Sequence, residues 1–226
     1  MLSLAVAVAA FVLIHLLVSG TRVRDGLVAR IGEGPYMGLF SLLSVAVLAW
    51  MVWSYGQARA ENIVWWGPDP LRHVAFLVQL VGVLLIVTGL LTPNPTSVKQ
   101  EGTLDKGDPI RGVIRITRHP FLWGVAIWAG GHLLVNGDLA SVLLFGSLLF
   151  LGAIGGASID AKRIRALGEP YHEFKTVTSN VPFVAILKRR QPLRLGEIGW
   201  RLPAALAVYA LLFAAHPWIA GVSPLG

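Results

Sequence analysis

Arg115-Ile-Thr-Arg-His-Pro-Phe-Leu-Trp-Gly-Val-Ala-Ile-Trp-Ala-Gly-Gly-His132 decides how this chain is read. It begins basic, meets Pro120, and continues apolar to a second histidine. Proline suits the first turn of a helix, so a helix is predicted from Phe121 to Val135. On a straight helix His119 and His132 stand ~19 Å and ~220° apart, and cannot easily serve one metal together. An ionisable side chain within an apolar helix is expensive and is a functional-site candidate by default.

Outward from that stretch, the same economy of charge holds. The 226 residues are 55% hydrophobic and 14% charged, with a mean hydropathy of +0.67. Soluble domains carry roughly 25% charged residues. The apolar residues fall in blocks near the ~20 needed to cross a bilayer. The prediction is an all-α, polytopic membrane protein, one transmembrane domain over 1–226 embedded among membrane lipids. Its six spans run about Met1–Ser19, Tyr36–Gln57, Leu71–Leu91, Phe121–Val135, Leu139–Ala157 and Leu202–Val222. Trp65 and Trp66 suit an interfacial aromatic belt.

The first span is followed by Arg22, Arg24 and Arg30 and preceded by no basic residue, unlike a signal peptide, so a retained helix is expected. Seventeen Lys and Arg lie in the loops one–two, three–four and five–six, against two in the other connections. Positive-inside bias then puts the three basic loops in the cytoplasm and both termini outside, periplasmic for a bacterial inner membrane. The net charge of +7 is thus spent on orientation, and no nucleic-acid partner is implied. Without cysteine there is no disulfide, thiolate-ligated haem, iron–sulfur cluster or covalent c-type haem. Any cofactor must be held by His, Asp, Glu or carbonyl groups.

Six histidines remain to be placed. His172 reads as a solvated cytoplasmic group and His73 as one at a span's outer end, where its ring reaches water. His216, before Pro217, is expected to hydrogen-bond near the outer surface, although its depth makes it a rival ligand. Arg118 and His119, at the mouth of the fourth span, are either helix-entry groups for lipid phosphate or cofactor contacts. His15 and His132 lie deep on different spans, and two such imidazoles point to a bis-histidine metal site. Gly124, Ala129, Gly130 and Gly131 leave room for a flat group beside His132 and equally permit close helix packing, with Trp128 one turn away. Such a pocket, with no cysteine and no His-Glu-x-x-His, fits haem b better than zinc or copper.

Arg115-Ile-Thr-Arg-His-Pro with Trp123-Gly124, Gly131-His132, Gly168-Glu-x-Tyr171 and Thr178-Ser-x-Val-Pro-Phe183 resemble the NnrU family, which includes the 15-cis-ζ-carotene isomerases. The resemblance runs from the His15 helix to His216-Pro217. It implies a membrane protein that binds haem b through one histidine of the first span and one of the helix after Arg-His-Pro, here His15 and His132. The isomerase branch carries a cysteine three residues before the second histidine, where this chain has Ala129. The implied chemistry is redox-linked: cis–trans isomerisation of a hydrophobic polyene, or nitrite and nitric oxide respiration with a small gaseous ligand. A more distant likeness joins Arg118, His119, Pro120 and Tyr171, with Asp160 for the usual glutamate, to the isoprenylcysteine and phospholipid methyltransferases, which bind S-adenosylmethionine. A non-enzymatic respiratory assembly factor is the third alternative.

Overall fold

All six predicted apolar segments are helical in the computed structural model, which describes residues 1–58, 62–65, 67, 69–105 and 107–225. Trp66 therefore lies outside the described residues. The helices are α1 (Leu2–Leu13, extended by a π-helical segment Ile14–Val18), α2 (Arg22–Ile31), α3 (Glu33–Ala58), α4 (Asp69–Leu91), α5 (Val113–Ile116), α6 (Pro120–Val135), α7 (Leu139–Leu167), α8 (Glu169–Val177), α9 (Val184–Leu187) and α10 (Arg201–Ala220). Among the described residues the only β-type pairing is an isolated bridge between Ile63 and Asp138.

By length and composition α3, α4, α7 and α10 each suit a membrane crossing, and the bent pair formed by α1 with its π extension and α2 adds a fifth. The apolar α6 has 16 residues, ~24 Å at 1.5 Å per residue and so shorter than the ~30 Å hydrocarbon core. Length and composition thus support four or five of the six predicted spans.

The chain divides into two compact units. The first comprises Met1–Phe76 and Ala129–Ala166. Within it α1 lies on α3 around the fully buried Leu4, Ala7 and Met51. Ser3 ties the pair together, its hydroxyl 2.8 Å from Ser54 Oγ and accepting from Trp50 Nε1 at 3.0 Å. The π segment closes with Ser19 N–H on the Ile14 carbonyl, and the chain then turns 78° into α2. Gly20 makes that corner: a Cβ there would stand 2.5 Å from both Leu16 O and Ser158 Oγ. Thr21 caps α2, its hydroxyl accepting from Val23 N–H at 3.2 Å. The predicted Asn136-Gly-Asp138 turn is present, and Asp138 opens α7 by accepting from Ser141 N–H at 2.9 Å and Ser141 Oγ at 2.6 Å.

The second unit comprises Leu77–Trp128 and Leu167–Gly226. Here α4 and the start of α6 approach backbone to backbone. A Cβ on Gly124 would lie 2.6 Å from Ile86 N, and one on Gly82 would lie 2.8 Å from Trp128 N. Small residues are what allow helices in lipid to come this close. Gln79 Nε2 donates to Trp128 O at 3.1 Å across the seam. Arg201 Nε donates to Leu91 O at 2.9 Å, satisfying a terminal carbonyl of α4.

Candidate functional site

The Arg-His-Pro corner is built from two distant segments clasped through backbone. Arg118 N–H donates to Ser179 O at 2.9 Å, and Phe183 N–H to Ile116 O at 2.8 Å. Thr117 Oγ1 donates to Asn180 O, while Trp123 Nε1 donates to Asn180 Oδ1 at 3.0 Å. On the other side Asn94 Nδ2 and Thr96 Oγ1 both donate to Arg118 O at 3.0 Å. The Thr178-to-Phe183 motif thus exists to hold the 115–120 motif. Phe183 joins the clasp in the left-handed region at φ 65°, an unusual conformation for a non-glycine residue.

Arg118 and His119 are 5% and 2% exposed. Both side chains are buried in the protein. Arg115 is a clamp: its Nε and Nη2 grip the Glu197 carboxylate at 2.8 and 3.0 Å, and its Nη1 donates to Gln191 Oε1 at 2.6 Å. Gly112 N–H adds a third donor to Glu197 at 2.9 Å. The Arg115 guanidinium, with help from Gly112 and Arg194, holds the Glu197 carboxyl at about 2.

His15 lies in the π segment of the first unit. Its Nδ1 is 2.7 Å from Phe11 O. A carbonyl can only accept, so Nδ1 carries a proton and, in the neutral ring, Nε2 is the nitrogen with a free lone pair. Phe11 and Phe40 wall the ring, with centroids at 4.3 and 5.4 Å, and Tyr36 stacks on Phe40 at 5.9 Å. The Tyr36 hydroxyl is buried, with the Ser19 side chain near it. π segments inside α-helices recur at functional sites.

His132 lies in the same unit, on the last turn of α6. Its ring stacks on Phe145 of α7 at 4.5 Å and 13°, and Phe145 meets Tyr55 edge-on at 5.8 Å. Tyr55 OH is 3.0 Å from Ser141 Oγ, which itself donates to Asp138. His132 O accepts from Asn136 Nδ2 at 2.8 Å, fixing the helix end that carries the ring.

The structure therefore groups His15 and His132 in one unit, while Arg118, His119 and Trp128 belong to the other. Of the methyltransferase-like set, Arg118, His119 and Tyr171 are buried in the second unit, and Asp160 is buried in the first. His216 Nδ1 is 2.8 Å from Val222 O, a hydrogen bond just past the end of α10. His172 is exposed beside Glu169 at 3.7 Å, and His73 is also exposed. No cluster of three or more His, Cys, Asp or Glu suited to a metal occurs among the described residues. A shallow cleft of about 280 Å³ between Leu104, Ile110 and Phe174 contains no histidine.

Phe40 and Phe145, on helices other than those of the histidines they wall, could not be found by spacing. Phe11 could, because four residues before His15 is one turn on the same helical face.

These features define an all-helical membrane protein with two histidines of one unit, His15 and His132, in aromatic settings. The sequence model described as NnrU protein matches residues 3–224, and the chain belongs to that family. Two curated relatives are chloroplastic 15-cis-zeta-carotene isomerases. The protein from Zea mays is 26% identical over 194 residues, covering 83% of this chain and 52% of the relative. The one from Arabidopsis thaliana is 28% identical over 202 residues, covering 85% and 54%. The chain thus spans about half the length of the curated relatives it matches. No solved structure matches it.

Proposed function

We propose that the protein is a polyene cis–trans isomerase of the membrane, using haem b held by His15 and His132. The observation that carries this is the His15 geometry: an imidazole whose Nδ1 is committed to Phe11 O, so that Nε2 is the ring nitrogen left for a metal, in the unit that also holds His132. When bound there, haem b would supply a redox-active iron able to lower the barrier to rotation about a conjugated double bond.

The chain's own residues do the rest. The Phe11 carbonyl fixes the His15 tautomer, and Phe145 fixes the plane of the His132 ring. Phe11 and Phe40 beside His15, and Phe145 beside His132, are apolar neighbours suited to a polyene. Ala129 is buried and offers no donor atom, so the donors proposed are His15 and His132. The proposed topology keeps six spans, with α6 as the short one, and the three basic loops on the cytoplasmic side of a bacterial inner membrane with both termini periplasmic.

The test is turnover of a carotenoid with a 15-cis double bond by purified, haem-loaded protein under reducing conditions, followed by chromatography of the isomers. Conversion by the wild type, lost in His15→Ala and His132→Ala, supports the proposal. Conversion unchanged in both variants refutes it.

A further inference from the structure

The short helix α2 stands apart from the apolar spans on either side of it. It turns 78° away from Leu2–Val18, and its ten residues include three arginines and an aspartate. If the apolar helix before it runs along the bilayer normal, α2 lies within about 12° of the membrane plane, the attitude of an interfacial helix. A second crossing by this segment would bury Arg22, Arg30 and Asp25 in hydrocarbon, which is expensive.

Its faces are sorted accordingly. Arg24 turns inward, 16% exposed, pairing with Glu33 at 2.9 Å and lying over the Tyr36 ring at 5.6 Å. Asp25 faces Arg165 of α7 at 3.7 Å. Val23, Leu27 and Ile31, spaced by four, form an apolar stripe whose two ends are 54% and 43% exposed. At 100° per residue Asp25 and Ala29 lie roughly 160° from the centre of that stripe. Arg22 and Arg30, both exposed and without an ion pair among the described residues, sit between the two.

We infer that α2 is an in-plane anchor: the Val23–Leu27–Ile31 stripe enters the acyl boundary of the membrane the protein spans, and Arg22 and Arg30 bind the phosphates of anionic phospholipids. The occupant is the headgroup layer itself, because the helix continues directly from an apolar membrane segment and its free charges are cationic. Apolar area and electrostatic attraction together set the strength of such an anchor. The inference is independent of haem and of isomerisation.

The absence of cysteine makes the test clean, since one introduced cysteine is a unique labelling site. Full-length Val23→Cys, Ile31→Cys and Ala29→Cys proteins are labelled with an environment-sensitive fluorophore. They are then reconstituted in phosphatidylcholine vesicles with and without phosphatidylglycerol, each containing lipid nitroxides at shallow depth. Labels at 23 and 31 should emit blue-shifted light and be quenched, more so with phosphatidylglycerol, while the label at 29 stays water-like. Arg22→Gln with Arg30→Gln should remove the dependence on phosphatidylglycerol. Both arginines are exposed, so this variant folds as the wild type does. Water-like emission at 23 and 31 overturns the anchor. So does equal quenching at 23, 29 and 31, the pattern of a buried helix. Quenching that ignores phosphatidylglycerol overturns the role of the arginines.

Discussion

Around His15 and His132 single atoms carry the argument. Phe145 is buried and stacked on His132. Phe145→Ala should destabilise the protein by about 2 kcal/mol or more through the cavity it leaves. Phe145→Leu, which keeps most of the volume, should cost about 1 kcal/mol for the lost ring pairing. Unfolding in mixed detergent micelles measures both, and equal losses would count against a specific stack.

Among the elements, α4 and α6 meet through glycine, so substitutions there report on backbone approach. A Cβ at Gly124 would press on Ile86 N and Gly82 O, neither of which can swing aside. Gly124→Ala should therefore cost about 1–3 kcal/mol. Gly38→Ala, at a position with nothing within 4 Å, should gain a few tenths to 1 kcal/mol of helix propensity. The clasp between Arg115 and Glu197 sets a pH dependence. Its carboxyl is held at about 2, below the ordinary 4.5, by Arg115 first. A depressed folded-state value contributes stability that is complete above about pH 4.5 and is lost as pH falls toward 2. Thermal unfolding from pH 7 to pH 3 should show that decline, and Glu197→Gln should flatten it while lowering stability at pH 7. The apolar runs, Pro120, and the Asn136-Gly-Asp138 turn made the helices legible, because hydropathy and turn chemistry are local properties. The partner of Arg115 was not legible, since Glu197 lies 82 positions away and approaches only when the loops fold. The π segment was hidden too, as nothing in Ile-His-Leu-Leu-Val distinguishes it from an α-helix. α7 runs on to Leu167, past the predicted apolar end at Ala157, because the basic Asp160-to-Arg165 stretch is itself helix-forming and continues the helix.

Taken whole, the molecule is a set of apolar helices carrying its basic residues between them, and that pattern fixed the membrane class before any site was considered. The histidines were legible as rare ionisable groups in apolar runs, and the structure adds what surrounds them. It also shows Arg118 and His119 to be buried, which charge alone had not decided. The central claim is that His15 and His132 together hold haem b. Its most direct measurement is the visible spectrum, with a pyridine haemochrome assay, of protein purified from cells well supplied with haem. The account predicts a six-coordinate b-type spectrum at about one haem per chain, with that spectrum lost in His15→Ala and in His132→Ala. A folded but colourless protein, or an unchanged six-coordinate spectrum in either variant, would contradict it.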